Sequence, residues 1–585
     1  MNSRYKAGFW VLCFGLWVYI ILRAIYSPFV FDEATTFLLY VHNNKIIPGH
    51  AFWSANNHIL NTALTWISYN LLGPEEWQLR LPNVLAFPVF CFFLYKISLK
   101  LKGFYSRFIL VAGVLSGHIF LEMFGFSRGY GLSFAALSGA IYFGLNTLNE
   151  DSLKSRIGLY LCNLLMLLAN LTLLPISLTI TAVSVFYTRK NGRSKSQLLG
   201  NVFFLGLPIA LSAFLSFQLK TKGELYYAAD SGFWSGTIKS LLTAFWYGDG
   251  YFEQSIFIAI LVFVALLFWQ NIKNKTVNRN AVFVALIFAT PFVFYPLAKV
   301  LIAVEYPLDR AVLYVPFLLF LALAFVLEYS NVSRSIKTLV SVVAIVPLFI
   351  SFVSHAGLKK ATGFKWNTEQ IPDAFFNEVL QNNATVGGYF LRQKCWEYLN
   401  IKSDDKANVL QILDFPGNTA DYQIVNTYDL KLFSKNYEIV LEGLESDLLL
   451  LKRKSLLHRE NLIAKSELIN LKNKQGFTVL QEFKVDSAKP LQINFNGNLK
   501  SQAHPFNGLL AISVLDEKGI QLLYEEIRLR NLNLNFNEPQ NISQTMYYPN
   551  KSGGKTLNIM FWNKDDQDFE WINLESSVYS LKLQE

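Results

Sequence analysis

Two adjacent carboxylates, Asp32 and Glu33, directly follow the first strongly apolar run of the chain, in the stretch FVFDEATTF. Desolvating a charge near the bilayer costs free energy, so acidic side chains at that position require a reason. One such reason is a general base that must meet a substrate anchored in the membrane. The alternative is an ordinary helix start in which Asp32 is the N-cap. These residues alone leave both interpretations open.

Further polar residues lie in loops that we predict on the same membrane face as the acid pair. The cations are Arg80, Arg128, Lys299 and Arg310, and the other candidates are Asn57, His58, Tyr130 and Tyr306. Each one alone could be an interfacial anchor, with its charged end in water or its ring in the aromatic belt. External cations near a carboxylate pair, taken together, predict a site for an anionic headgroup beside a candidate base.

The composition of the chain defines its class. Of 585 residues, 52% are hydrophobic and only 16% are charged, which excludes an ordinary soluble enzyme and indicates a polytopic membrane protein. The net charge of +10 comes from short Lys/Arg clusters between apolar segments, a pattern typical of topology signals, so no nucleic-acid partner is predicted. Of the four cysteines, three lie in apolar runs, which argues against a disulfide framework or a zinc site.

Eleven apolar stretches are predicted to cross the hydrocarbon core, which is about 30 Å thick. They cover residues 8–26, 81–99, 107–122, 129–148, 157–170, 172–188, 198–217, 256–270, 280–298, 309–328 and 338–354. The segments predicted to be cytoplasmic carry seventeen Lys and Arg residues, against eight in the opposite loops between spans. This asymmetry places the N-terminus inside. Because eleven is odd, everything after about residue 355 is predicted to lie outside.

The sequence predicts three domains. Residues 1–354 form a helical transmembrane domain whose first external loop spans 27–80 and contains an interfacial amphipathic helix, with Leu64 on one stripe and Asn61 on another. Mixed strand-like and helical patterns predict a small external α/β domain at 355–460. Short alternating strands such as LQINFNG and LLAISVLD predict a terminal, jelly-roll-like β-sandwich at 461–585.

Several motifs of the membrane part resemble the GT-C glycosyltransferases, a superfamily that includes protein O-mannosyltransferases and lipid A aminoarabinose transferases. They are FDEATTF, NNHILNTALTWISYNLLG, RLPNVLAF, SRGYGLSFAAL, ANLTLLPI and YPLDRAVLYVP, and they cover most of residues 1–354 in order and membrane side. The resemblance implies transfer of a hexosyl or pentosyl group from a polyprenyl-phosphate donor to an external acceptor. The lipid tail of the donor would lie among the membrane lipids. That acceptor would be a glycan, a glycolipid or a protein.

The resemblance also implies roles for the candidate residues. Asp32 would be the general base, and Glu33 would orient the acceptor or share a divalent metal ion with Asp32. This metal ion is the one cofactor candidate. Arg128 and Arg310, with Arg80 or Lys299, would neutralise charge growing on the departing lipid phosphate. The remaining candidates would contact donor or acceptor; they are Asn57, His58, Tyr130 and Tyr306.

Two other functions compete with this hypothesis. A transporter or lipid flippase would also place polar groups in a membrane protein, but the sequence has no inverted repeat and no carboxylate at mid-membrane depth. A membrane anchor for an exported binding module would need far fewer spans. We therefore expect a bacterial inner-membrane glycosyltransferase with periplasmic C-terminal domains.

Overall fold

The computed structural model describes residues 3–150, 152–225, 228–229, 232–246, 251–276, 278–382, 384–388, 390–403, 420–455, 457–472, 476–485, 490–503, 506–529, 536–548 and 554–583. The first helices are α1 (Ser3–Tyr26), α2 (Phe31–Thr36), α3 (Ile59–Leu72), α4 (Glu76–Ser98), α5 (Phe104–Leu115), α6 (His118–Glu122), α7 (Gly129–Asn149), α8 (Leu153–Ala169) and α9 (Leu174–Lys190). They are followed by α10 (Lys195–Thr221), α11 (Lys239–Trp246), α12 (Tyr251–Lys273), α13 (Arg279–Ile302), α14 (Tyr314–Glu328), α15 (Arg334–His355), α16 (Asp373–Gln381), α17 (Phe390–Lys402) and α18 (Leu430–Phe433).

The chain folds into two compact units, and each unit is formed by two separate segments of the sequence. The first unit comprises Met1–Ser27 and Leu39–Lys365, and the second comprises Pro28–Leu38 and Trp366–Glu585. The segment with the acid pair therefore packs with the C-terminal region of the chain. The domain boundaries at 354 and 460 stay predictions.

The first unit is a helical bundle suited to a membrane. Nine helices in the described ranges are long and apolar enough to cross one; they begin with Ser3–Tyr26 and end with Arg334–His355. This confirms the predicted fold class of a multi-pass helical protein. Apolar side chains face outward along the helices, for example Phe217 on α10, Leu266 on α12 and Phe349 on α15, each more than half exposed. Hydrocarbon is the solvent in which such a surface is stable.

The prediction of eleven spans is not confirmed. The predicted third span, 107–122, is interrupted, because α5 ends at Leu115 and the short α6 begins at His118. Gly117 lies between them, so close to the ring of Phe245 that a Cβ atom there would be 2.9 Å away. The predicted fifth span corresponds to α8, which has 17 residues. Hydropathy gives the length of an apolar stretch, but it does not show where tertiary packing breaks that stretch into two helices.

The end of α1 and the residues that follow α15 meet at one end of the bundle. Arg23 and Glu122 form an ion pair that is almost fully buried, and Arg23 also donates to the carbonyl oxygens of Gly357 and Lys360. Glu122 in turn accepts the backbone N–H of Gly363 at 3.2 Å. The exit of the last span therefore lies on the same side as the exit of the first, as an odd number of crossings requires.

We expect Glu122→Gln to destabilise the first unit strongly, because it leaves the Arg23 guanidinium buried without its counter-charge. Removing one member of a buried ion pair typically costs about 3–5 kcal/mol. Thermal unfolding in detergent measures the effect. Glu328→Gln is the matched control, since that carboxylate also accepts backbone N–H groups, from Lys102 and Gly103, but in an exposed setting. Equal loss of stability in both variants would contradict the role given to the buried pair.

The strands lie mainly in the second unit. Two short ones, β1 (Ala228–Ala229) and β2 (Tyr306–Pro307), pair within the first unit. The others are β3 (Val386–Gly388), β4 (Tyr422–Asn426), β5 (Tyr437–Gly443), β6 (Leu448–Arg453), β7 (Leu457–Lys465), β8 (Ile469–Lys472), β9 (Phe477–Lys484), β10 (Leu491–Lys500), β11 (Gly508–Leu515), β12 (Gln521–Arg528), β13 (Gln540–Tyr548), β14 (Thr556–Asn563) and β15 (Glu570–Leu583).

The second unit contains one mixed sheet and two antiparallel sheets. In the mixed sheet, ordered β3-β4-β6-β5, β3 runs parallel to β4 and the other pairs are antiparallel. The antiparallel sheets are ordered β13-β10-β15-β7, with β8 beside β15, and β12-β11-β14-β9. Alternate residues such as Phe495 and Ile512 are fully buried in a common core between the latter two, which is the packing of the predicted β-sandwich.

Candidate active site

The acid pair lies in the first turn of α2. The helix begins at Phe31, so Asp32 is not the N-cap that the alternative interpretation required; Val30 occupies that position. Glu33 is 1% exposed, and its carboxylate accepts the backbone N–H of Val30 at 3.3 Å. Asp32 is only half-buried. Glu33 thus stabilises the helix start, and Asp32 is the more accessible carboxylate of the two.

The segment around the acid pair is held by residues far along the chain. The carboxylate of Glu369 accepts the backbone N–H of Phe31 at 3.0 Å, and the side-chain amide of Gln370 donates to the carbonyl oxygen of Pro28 at 2.7 Å. The ring of Phe29 stacks on that of Tyr398 in α17, with centroids 4.3 Å apart. These contacts fix both the backbone that precedes the acid pair and its direction of entry into α2.

Cys395 of α17 lies next to the same segment. Its thiol lies 3.7 Å from the carbonyl oxygen of Phe29. Burial raises the pKa of the Cys395 thiol well above its ordinary value, and the nearby carboxylates Glu369, Glu33 and Asp32 raise that pKa further. The thiol is therefore neutral at physiological pH. The three carboxylates are close enough to one thiol to act on it electrostatically.

Arg128 is a buried cation at the start of a long helix of the first unit. It immediately precedes α7, its side chain is 3% exposed, and its guanidinium donates to the side-chain oxygen of Asn56. The guanidinium carbon also lies 5.9 Å from the centroid of the Tyr130 ring. Arg128 thus joins the first external loop to the start of α7, where a rigid helix fixes its position.

His58 and Tyr130 belong to the same cluster. The rings of His58 and Tyr130 meet edge to face at 5.1 Å, and Nδ1 of His58 donates to the carbonyl oxygen of Ala169 at 2.8 Å. Gly129 leaves no room for a side chain, because a Cβ atom there would lie 2.1 Å from the same carbonyl oxygen. Close approach at Gly129 therefore brings the first loop, the start of α7 and the end of α8 together.

The amphipathic helix predicted in the first loop is α3, and its polar stripe faces inward. Asn61 donates to the carbonyl oxygen of Ser127 at 3.1 Å, while the Thr65 hydroxyl lies 3.1 Å from that of Ser127. Asn57 holds the loop itself by donating to the carbonyl oxygen of Ile46 at 3.2 Å. The apolar stripe faces outward, with Leu71 76% exposed. Such a helix is suited to a membrane surface, as predicted.

Arg80 occupies a different environment from Arg128. Its side chain is fully buried and donates to the carbonyl oxygens of Ala24 at 3.1 Å and Ser27 at 2.5 Å. Ala24 lies in the last turn of α1, and Ser27 directly follows its end. A cation satisfies the last carbonyl groups of a helix and interacts favourably with its dipole. Its guanidinium lies 5.6 Å from the Phe126 ring centroid, two residues before Arg128.

Arg310 and Lys299 lie near each other in sequence but have different partners. Asp309 has a positive φ of 36°, and its carboxylate lies 3.9 Å from the Arg310 guanidinium. Lys299 pairs with Glu305, and its ammonium group lies 5.8 Å from the Tyr306 ring centroid. The Arg310 turn is tied to the α8–α9 connection, because the Thr172 hydroxyl donates to the carbonyl oxygen of Ala311 at 2.8 Å.

Two groups of residues at or near the site could not be identified from the sequence alone. Glu369 and Gln370 lie more than 330 residues from the acid pair, and no local pattern marks them. Arg23 and Glu122 lie within or beside apolar runs, where a charged residue is itself a signal of function or pairing. No three His, Cys, Asp or Glu side chains in the described part of the chain are grouped so that they could hold a metal ion.

The chain is similar in structure to several solved proteins, all of low sequence identity. No family model and no curated protein matches the chain. Similar solved structures include ArnT from Cupriavidus metallidurans bound to undecaprenyl phosphate, at 11% identity and a TM-score of 0.44, covering 77% of this chain and 98% of that one.

Two further similar structures have names of sugar-transferring enzymes. The oligosaccharyltransferase of Archaeoglobus fulgidus has 10% identity and a TM-score of 0.39, and covers 98% of both chains. Arabinosyltransferase EmbB from Mycobacterium smegmatis has 10% identity and a TM-score of 0.37, and covers 100% of this chain and 65% of that one. All these TM-scores are below 0.5, so the similarities carry no conclusion about the function of this chain.

Proposed function

We propose that this protein is a membrane glycosyltransferase that moves a sugar from a polyprenyl-phosphate donor to an acceptor on the extracytoplasmic face. The observation that carries the proposal is the buried Arg128, fixed beside His58 and Tyr130 at the end of the helical unit where α1 ends. A buried guanidinium beside a lipid-facing bundle is suited to a phosphate at headgroup depth.

Arg80 links the end of α1 to the residues that precede Arg128. Arg80 binds the carbonyl oxygen of Ser27 and packs on Phe126, so Ser27 and the residues leading to Arg128 belong to one environment. Asp32 belongs to the second unit, and we propose it separately as the base of the reaction.

In the proposed reaction, the acceptor hydroxyl or amine attacks the anomeric carbon of the donor. Asp32 accepts the proton of the attacking group, while the bond between that carbon and the lipid phosphate breaks and leaves its electron pair on the phosphate. Arg128 stabilises the charge on the departing phosphate, and we propose that Arg310 contributes to the same field.

The other candidates have supporting roles in this proposal. His58, Asn57 and Tyr130 shape the donor site beside Arg128. Arg80 acts through the end of α1 and not on the phosphate, because its donors point to backbone carbonyl groups. Lys299 is paired with Glu305 beside the Tyr306 ring, and we propose that Lys299 and Tyr306 contact the donor headgroup. We further propose the bacterial inner membrane as location, with the C-terminal region periplasmic.

Reconstitution in liposomes tests the function. Purified protein is mixed with a panel of polyprenyl-phosphate sugars and with candidate acceptors, and transfer of labelled sugar is followed. We expect transfer from at least one lipid-linked sugar, with loss of signal in Asp32→Asn. Translocation of lipid or solute across the same vesicles without sugar transfer would support the transporter or flippase alternative and would contradict the proposal.

A further inference from the structure

We propose that the C-terminal region positions the acid pair, with Glu369 as the positioning residue that sets the backbone of Phe31. This inference rests on the proposed function, because it concerns how Asp32 is held for its role as base. It assigns to the tail a role in positioning the proposed base, beyond that of an exported appendage.

The acid segment, residues 28–38, has little structure of its own. It comprises the six residues of α2 and the few that flank them, and a helix of that length is not stable in isolation. Its geometry must therefore be imposed by its neighbours. In the second unit these neighbours are residues 369 and 370 and helix α17.

The contacts of Glu369 and Gln370 act on the backbone at the start of α2. Phe31 is the first residue of α2, and its N–H is one of the amide groups that no helical carbonyl can satisfy. Glu369 accepts it at 3.0 Å, while Gln370, itself 1% exposed, holds the carbonyl of Pro28. An anionic acceptor at a helix N-terminus also interacts favourably with the helix dipole.

Aromatic packing fixes the direction of the acid segment. Tyr398 is fully buried and contacts rings on both sides of the acid pair, stacking on Phe29 and meeting Phe37 edge to face at 5.5 Å. A rigid aromatic contact before the pair and another after it leave little freedom between them. Displacement of a catalytic group by about 1 Å can cost a factor of roughly 10² in rate.

The test compares variants of Glu369 in the reconstituted full-length protein. We expect Glu369→Ala to lower kcat about 10-fold to 100-fold, with the KM for the lipid-linked donor changed less than about threefold. Glu369→Gln keeps an oxygen that can accept the Phe31 N–H, and we expect it to retain most of the kcat. Glu378→Ala is the matched control, since that carboxylate accepts from Tyr422 elsewhere in the tail.

A second readout does not depend on activity. Hydrogen exchange of residues 28–38 should be faster in Glu369→Ala than in wild type, Glu369→Gln or Glu378→Ala. If Glu369→Ala does not fold, Tyr398→Leu should reproduce the loss of kcat and the faster exchange. Unchanged exchange and unchanged kcat in Glu369→Ala would overturn the inference, and so would a Gln variant as inactive as the Ala variant.

The two readouts separate this inference from the proposed function. If Asp32→Asn remains fully active while exchange in Glu369→Ala is accelerated, the role of Asp32 as base is wrong and the positioning of the segment stands. If Asp32→Asn is inactive while Glu369→Ala behaves as wild type in both readouts, the base assignment stands and the positioning role is wrong.

Discussion

Asp32→Asn is expected to reduce sugar transfer by a factor of about 10²–10⁴, which is the usual contribution of a positioned general base. The substitution keeps the size of the side chain and removes its ability to take a proton. Asp32 is half-buried and is not the N-cap of α2, so we expect the variant to fold. The measurement is kcat in liposomes, together with the melting temperature of the purified variant.

Asp566→Asn is the control for that experiment. Asp566 lies in an exposed turn of the β-sandwich with a φ of 47°, a conformation that Asn adopts as readily as Asp. The control should transfer sugar at the wild-type rate. An Asp32→Asn protein that melts normally and still transfers sugar within threefold of wild type would contradict the assignment of Asp32 as base.

Arg128→Gln is expected to cost about 10²–10³ in kcat, the usual effect of removing one preorganised group that stabilises developing charge. The guanidinium is already desolvated and held by Asn56 and Tyr130, so it needs little reorganisation when the phosphate departs. Arg128→Lys should recover only part of the rate, because an ammonium group cannot present two parallel donors to a phosphate. Transfer rates over a series of donor concentrations separate kcat from KM.

Two other arginines serve as comparisons for Arg128. Arg80→Gln should lower the melting temperature, since it removes the donor to the carbonyl groups of Ala24 and Ser27. Arg334→Gln, at an exposed helix start where the guanidinium meets the Tyr105 hydroxyl, should change neither rate nor stability. The assignment of Arg128 would be wrong if its Gln variant lost stability as Arg80→Gln does and kept kcat.

The helical and sheet regions could be predicted because their signals are local. Apolar length and the spacing of Lys/Arg clusters are read within about twenty residues, and the alternation in LQINFNG marks a strand whose Phe495 is indeed in the core. The polar stripe of α3 was also visible in sequence. That this stripe faces the protein and the apolar stripe faces outward follows from contacts of Asn61 with Ser127, which are not local.

The parts that could not be predicted depend on contacts between distant residues. The division of the third span depends on the Phe245 ring beside Gly117, and the ion pair of Arg23 with Glu122 joins residues 99 apart. The grouping of the acid segment with the C-terminal region depends on Glu369 and Tyr398, which have no partner signal in the sequence. Candidate chemistry could thus be named from residue types, but the residues that hold it in place could not.

The central claim is that Asp32 and Arg128 act on one lipid-linked substrate, and a structure by electron cryomicroscopy with a polyprenyl phosphate bound tests it most directly. The account predicts the phosphate within hydrogen-bonding distance of the Arg128 guanidinium, at about 2.7–2.9 Å. It also predicts the Asp32 carboxylate on the same membrane face. A phosphate bound away from Arg128, or an Asp32 side chain on the opposite face of the membrane, would contradict it.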